Sequence, residues 1–119
     1  MKNITLSSIG FILGTIILSS NSSAADFKYK RSVTLKIGQS VILKGVRSRD
    51  CGDKAEEWGP IKNRLPKSKL GKFSDGGAGT VSSNSCGGKV GGRGIRFTAD
   101  KVGKERLVIF SDAVRITVK

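Results

Sequence analysis

Histidine is missing from the chain altogether. Without it, neither a Ser-His nor a Cys-His nucleophile pair can be assembled. Acid groups are scarce as well: nine Asp and Glu stand against 22 Lys and Arg. Paired carboxylates could serve glycoside hydrolysis, but the densest acidic group, Asp50, Asp53, Glu56 and Glu57, reads more simply as the start of a helical turn. Only two cysteines occur, Cys51 and Cys86, without C-x-x-C spacing, which fits neither a zinc site nor a thioredoxin-like motif. Aromatic residues are few, with one Trp and one Tyr, so stacking platforms for single-stranded nucleic acid are scarce. Cys86-Gly-Gly-Lys-Val-Gly-Gly-Arg-Gly94 is not a Walker loop, because Lys89 is followed by Val90 and then by a strand pattern. The expectation is a protein without catalytic residues, cofactor or metal.

The start of the chain follows the plan of a secretory signal. Lys2 supplies a positive charge, Ile4 to Leu18 carry none and are rich in Ile and Leu, and Ser19 to Ala25 are small and polar. Signal peptidase favours small residues one and three positions before the cut. Ser22/Ala24 and Ser23/Ala25 both satisfy this, with Ala25 preferred as the cleavage residue. The apolar run is shorter than the roughly 20 residues of a spanning helix. No Cys follows it closely, so a lipid-anchored lipoprotein is not expected. The domain division is thus 1–25 signal peptide and 26–119 a single domain, periplasmic or secreted, with no transmembrane segment after cleavage.

A 94-residue remainder has room for one core. An oxidising compartment favours pairing of Cys51 with Cys86, closing a loop across the weakest part of the sequence. The formal charge of the chain is +13, with basic residues spread from Lys28 to Lys119. Such a globule is steered toward anionic surfaces and is also kept soluble and monomeric by its charge.

Five segments carry strand patterns. Val33, Leu35 and Ile37 alternate with polar residues, and after Gly38-Gln39 the run Ser40–Lys44 resumes. Ile95, Phe97 and Ala99 alternate in the same way. Arg106–Phe110 (RLVIF) is the continuous apolar run expected of a strand covered on both faces, and Val114, Ile116 and Val118 alternate again. Between Arg47 and Gly94 the pattern fails: both prolines, both cysteines, Trp58 and 11 of the 16 glycines lie there. Long regular structure is not expected in this zone. Asp53 to Gly59 reads as one helical turn, with Asp53 as cap, Glu56 completing a capping box and Gly59-Pro60 ending it. Short strands are expected near Leu70–Phe73 and Thr80–Ser82. Trp58 is expected in the core or over the disulfide.

Two stretches resemble a bacterial immunoglobulin-like domain. VTLKIGQSVILK (33–44) is similar to the opening two strands of such domains. Phe97-Thr-Ala-Asp-Lys-Val-Gly-Lys-Glu105 together with Val114-Arg-Ile-Thr-Val118 is similar to their closing strands. The resemblance implies an all-β immunoglobulin-like sandwich, here with an irregular, glycine-rich, disulfide-tied middle, used for adhesion or binding without enzymatic activity. Cys51 and Cys86, with Trp58 close behind the first, do not follow the antibody arrangement.

Lys62, Arg64, Lys67, Lys69 and Lys72 form a run without an acid. They are the candidate contacts to an anionic partner, with Arg47 and Arg49 nearby if the disulfide folds the middle back. The functional expectation is an exported, non-enzymatic binding or accessory module of the bacterial cell envelope. Its partner would be an anionic envelope component, polysaccharide or lipid head group; nucleic acid lacks support from aromatics. The alternative is a small secreted inhibitor or immunity protein acting on an acidic protein partner.

Overall fold

The segments with alternating apolar residues become strands, and so does much of the zone that lacks the alternation. The computed structural model describes residues 25–119. The elements are β1 (Ala25–Asp26), β2 (Ser32–Leu35), β3 (Ser40–Arg47), α1 (Trp58–Lys62), β4 (Gly71–Ser83), β5 (Gly88–Ala99), β6 (Gly103–Ile109) and β7 (Asp112–Val118). The expected signal peptide lies outside the described residues except for Ala25, which opens β1 in register with Gly79. Among the described residues no helix is long and apolar enough to cross a membrane.

The strands form two sheets, one ordered β1-β4-β5-β3 and the other β2-β7-β6. The chain is thus an all-β sandwich. Leu43, Ile95 and Phe97 from the first sheet meet Ile109, Val114 and Ile116 from the second in a single buried cluster. Phe97, Ile109, Val114 and Ile116 alternate with outward residues, as a half-buried strand requires. β2 runs parallel to β7 and β6 antiparallel to it. Ile61, Leu70 and the half-buried Trp58 pack on the same cluster, so the segment carrying α1 closes part of the core.

Cys51 and Cys86 are disulfide-bonded, with Cα atoms 5.5 Å apart. This is consistent with an oxidising compartment.

Three details differ from the sequence pattern. First, the irregular middle ends at Leu70. The segments near Leu70–Phe73 and Thr80–Ser82 are the two ends of the 13-residue β4, which pairs with β5 over most of its length. Gly91, Gly92 and Gly94 of β5 are packing surfaces rather than loop residues. A Cβ on Gly91 would stand 2.3 Å from the Asp53 carbonyl oxygen, because residues 53–54 cross the strand there. On the opposite face Phe27 lies across Gly45, Gly79 and Gly94, where a Cβ would approach its side chain to 2.7–2.8 Å.

Second, the helical turn starts later than expected. Glu57 is the N-cap of α1 and makes no side-chain cap bond, and Gly59-Pro60 lies inside the first turn. Proline is tolerated there because those N–H groups have no helical partner. Glu56 instead accepts a hydrogen bond from the Arg49 backbone N–H at 3.0 Å. Third, Arg106–Phe110 is covered on one face only. Leu107 and Ile109 are buried, whereas Val108 is 51% exposed. β6 is the edge of a three-stranded sheet, and among the described residues no layer covers its outer face, so the apolar Val108 faces solvent.

Candidate functional site

Lys62, Arg64, Lys67, Lys69 and Lys72 are all exposed. Among the described residues none of them has a carboxylate within ion-pair distance. The structure divides them. Lys62, Lys67 and Lys72 line one surface depression together with Leu65, Pro66 and Phe73. Lys69 is anchored through its backbone, whose N–H donates to Glu105 Oε1 at 2.8 Å. Arg64 turns the other way, and its guanidinium carbon lies 4.5 Å from the Phe110 ring centroid, within cation–π distance.

Arg64 thereby joins Arg47 and Arg49 in an open cleft of about 270 Å³ at one end of the sandwich. Four pieces of chain build it. β3 delivers Arg47 at its last residue. The segment that leaves β3 carries Arg49 and Glu56 and is pinned by Ser48, fully buried, whose N–H donates to the Gly91 carbonyl at 2.9 Å. The Ser48 hydroxyl also donates to the Lys54 carbonyl. Ile61 and Pro60 of α1 form the apolar wall.

Phe110 enters from the turn between β6 and β7. That turn has only two residues, Phe110 and Ser111, with φ of +48° and +72°. Positive φ at both positions is the type I′ geometry that matches the twist of paired strands. A bulky residue rarely occupies it, and here it projects an aromatic ring beside the guanidinium of Arg64. Arg47 donates to the Ser48 carbonyl at 2.9 Å, which fixes one edge of its guanidinium. Among the described residues Arg47 and Arg49, like Arg64, have no carboxylate ion-pair partner. Guanidinium groups stay charged at any physiological pH and present planar, forked donors suited to carboxylate, phosphate and sulfate.

A second trough of about 360 Å³ adjoins the first and shares Val46, Arg47 and Phe110 with it. Its cation is already paired. A bulge between Ile42 and Lys44 leaves both Leu43 and Lys44 buried, and Lys44 Nζ reaches Asp112 Oδ2 at 2.6 Å. Tyr29 bridges the sheets there by donating its hydroxyl to the Ala113 carbonyl.

The pattern of the sequence pointed to Arg64 and, conditionally, to Arg47 and Arg49. It did not point to Phe110 or Lys44. Phe-Ser carries none of the Asn-Gly or Asp-Gly chemistry that marks a two-residue hairpin, and the inward turn of Lys44 depends on a bulge with no glycine to mark it. No family model, no curated protein and no solved structure matches the chain.

Proposed function

We propose that the chain is an exported, non-enzymatic binding module of the bacterial envelope, periplasmic or secreted after loss of its leader, which holds an anionic partner through its basic surface. The observation that carries this reading is the convergence of Arg47, Arg49 and Arg64 on one cleft, with no ion pair to any of them among the described residues. The cleft is lined by three arginines and one acid, Glu56, so its cations are in excess, and an anion bound among them relieves their mutual repulsion. At about 270 Å³ the cleft is at the small end for ligand sites, sized for one charged group and its immediate surroundings. The antiparallel set β4-β5-β3 opposite β7-β6 supports the immunoglobulin-like reading of the ends of the chain. It departs from that plan where α1 replaces a strand.

Retention of the oxidised domain on immobilised heparin tests the reading. Binding at about 50 mM salt and release well before 1 M is expected, since exposed charges are screened over about 3 Å at 1 M. Arg47→Ala/Arg49→Ala/Arg64→Ala should elute earlier. A domain that passes through at low salt, or a triple variant that elutes with the wild type, would refute the reading.

A further inference from the structure

The outer face of the second sheet is basic like the cleft, and its register sets like charges against each other. Arg106 on β6 stands directly opposite Arg115 on β7, and Lys104 stands opposite Thr117. On the other side of β7, Ser32 and Thr34 of β2 flank Arg115 and Thr117. Lys104, Arg106 and Arg115 are exposed and alternate with the buried Leu107, Ile109, Val114 and Ile116, so they share the solvent face. Like charges directly opposite in a ladder are destabilising. Among the described residues no carboxylate lies within ion-pair distance of any of the three.

The basic segment lies beside the edge of this sheet. It runs antiparallel to β6 and is tied to that side of the sandwich at three places. Arg64 stacks on Phe110 just past the end of β6. Ser68 Oγ donates to Glu105 Oε2 at 2.5 Å, beside the bond from the Lys69 N–H to the same carboxylate. Leu70 packs against Gly103. Glu105, the one acid on β6, is thereby occupied. Exposed Lys67 and Lys69 flank Ser68 in the strap, which is held at Glu105, the residue between Lys104 and Arg106 in β6, and the arginine cleft is at the far end. The seven residues of β6 span roughly 23 Å at about 3.3 Å per residue, much longer than a single anionic group.

We infer that the partner is an acidic polysaccharide lying along β6, across Lys104, Arg106 and Arg115 and the strap residues Lys67 and Lys69, with one charged group in the arginine cleft. This rests on the reading above and specifies its ligand. The choice among polyanions comes from the face itself. It carries hydroxyls (Ser32, Thr34, Thr117) between the cations, which suit sugar hydroxyls and acid groups alike. It carries no aromatic ring on which bases would stack. Among the described residues of β2, β6 and β7 the large exposed apolar side chain is Val108, with Val102 just before β6, and two valines offer little wedge for a lipid surface.

The test uses the full oxidised domain and heparin oligosaccharides of increasing length, with glucuronate as the single-unit probe. Affinity is expected to climb with length until the fragment spans the strip. Arg106→Thr/Arg115→Thr should weaken the longest fragment at least ten-fold, leave glucuronate unaffected and leave the melting temperature equal or higher. Its salt dependence should lose about one unit of log–log slope per cation removed. Several results overturn the inference alone: no length dependence, a double variant within two-fold of wild type, or tighter binding of phosphatidylglycerol vesicles, single-stranded DNA or an acidic protein at matched charge. If the wild type binds none of these at low salt, the reading of the domain as an anion-binding module fails with it.

Discussion

Breaking the Cys51–Cys86 bond is expected to lower stability mainly through the unfolded chain. The bond closes a loop with a sequence separation of 35, for which the chain-entropy relation gives about 4 kcal/mol at 25 °C. The native state has other ties at the same place. Ser48 N–H donates to the Gly91 carbonyl at 2.9 Å, and Gly91 N–H donates to the Gly52 carbonyl at 2.7 Å. Both remain when the sulfurs part, so the reduced protein should keep its strands at room temperature. For a folded unit of the size described here, residues 25–119, the entropy of unfolding is about 0.2 kcal/mol/K, and the loss corresponds to a fall in Tm of about 20 °C. Thermal melts by circular dichroism, with and without reductant and on Cys51→Ala/Cys86→Ala, measure this directly. A fall below about 5 °C, by either route, would mean that the unfolded chain is already restrained without the bond, and the reasoning would fail.

Two further outcomes are expected. Lys44→Ala removes the cation from Asp112 and from the Ile109 and Phe110 carbonyls that it serves, and should cost about 1–3 kcal/mol in urea unfolding. Lys44→Met keeps the buried stem and leaves Asp112 to water, and should stay within about 1 kcal/mol of wild type; the reverse order would contradict the packing argument. The hydroxyl of Thr80, 3.1 Å from Asp26 Oδ1, chiefly holds the Asp26 carboxyl below its ordinary value of 3.8, with help from Lys89 and Lys28. A carboxyl depressed in the folded state stabilises fully above its ordinary value and loses that contribution as the pH falls through its folded value. The tie of β1 to β4 should therefore loosen below about pH 3.8, seen as faster exchange of the Phe27 amide. Asp26→Asn should remove that step, and identical acid profiles would argue against it.

The framework was legible because five strands have one buried face each, and a period of two is visible wherever a face is buried. Val33 and Leu35, Val41 and Leu43, and Val114, Ile116 and Val118 show this. The pairing of Cys51 with Cys86 followed from their number and from the oxidising compartment expected of the sequence. β4 and the first half of β5 were not legible because their two faces are covered by other pieces of chain. Where residues 53–54 cross Gly91 and Phe27 crosses Gly45, Gly79 and Gly94, the absence of a side chain is itself the packing feature, and it reads in sequence as a loop. Five candidate cations were found as a linear run, yet space separates them. Arg64 joins a cleft, and Lys67 and Lys69 lie on a strap tied to β6 at Glu105, whereas the cations of the outer face, Arg106 and Arg115, come from two strands. Each of those two was visible as the outward residue of a strand. Their opposition required the register.

That register links stability to binding. An antiparallel pair can set a Glu against an Arg and gain about 0.2–1 kcal/mol, or set two arginines together and lose a similar amount. β6 has a Glu one position before Arg106, but Glu105 faces the core side, where it holds Ser68 and Lys69. The outer face is left wholly cationic. The penalty is small against a net stability of about 5–15 kcal/mol for a domain, and smaller than the roughly 4 kcal/mol that the cross-link contributes. A sandwich braced in this way can hold a repulsive face open without unfolding. The same charges that weaken the free domain would then strengthen the complex, because an anion laid along β6 removes the repulsion and adds attraction in one step.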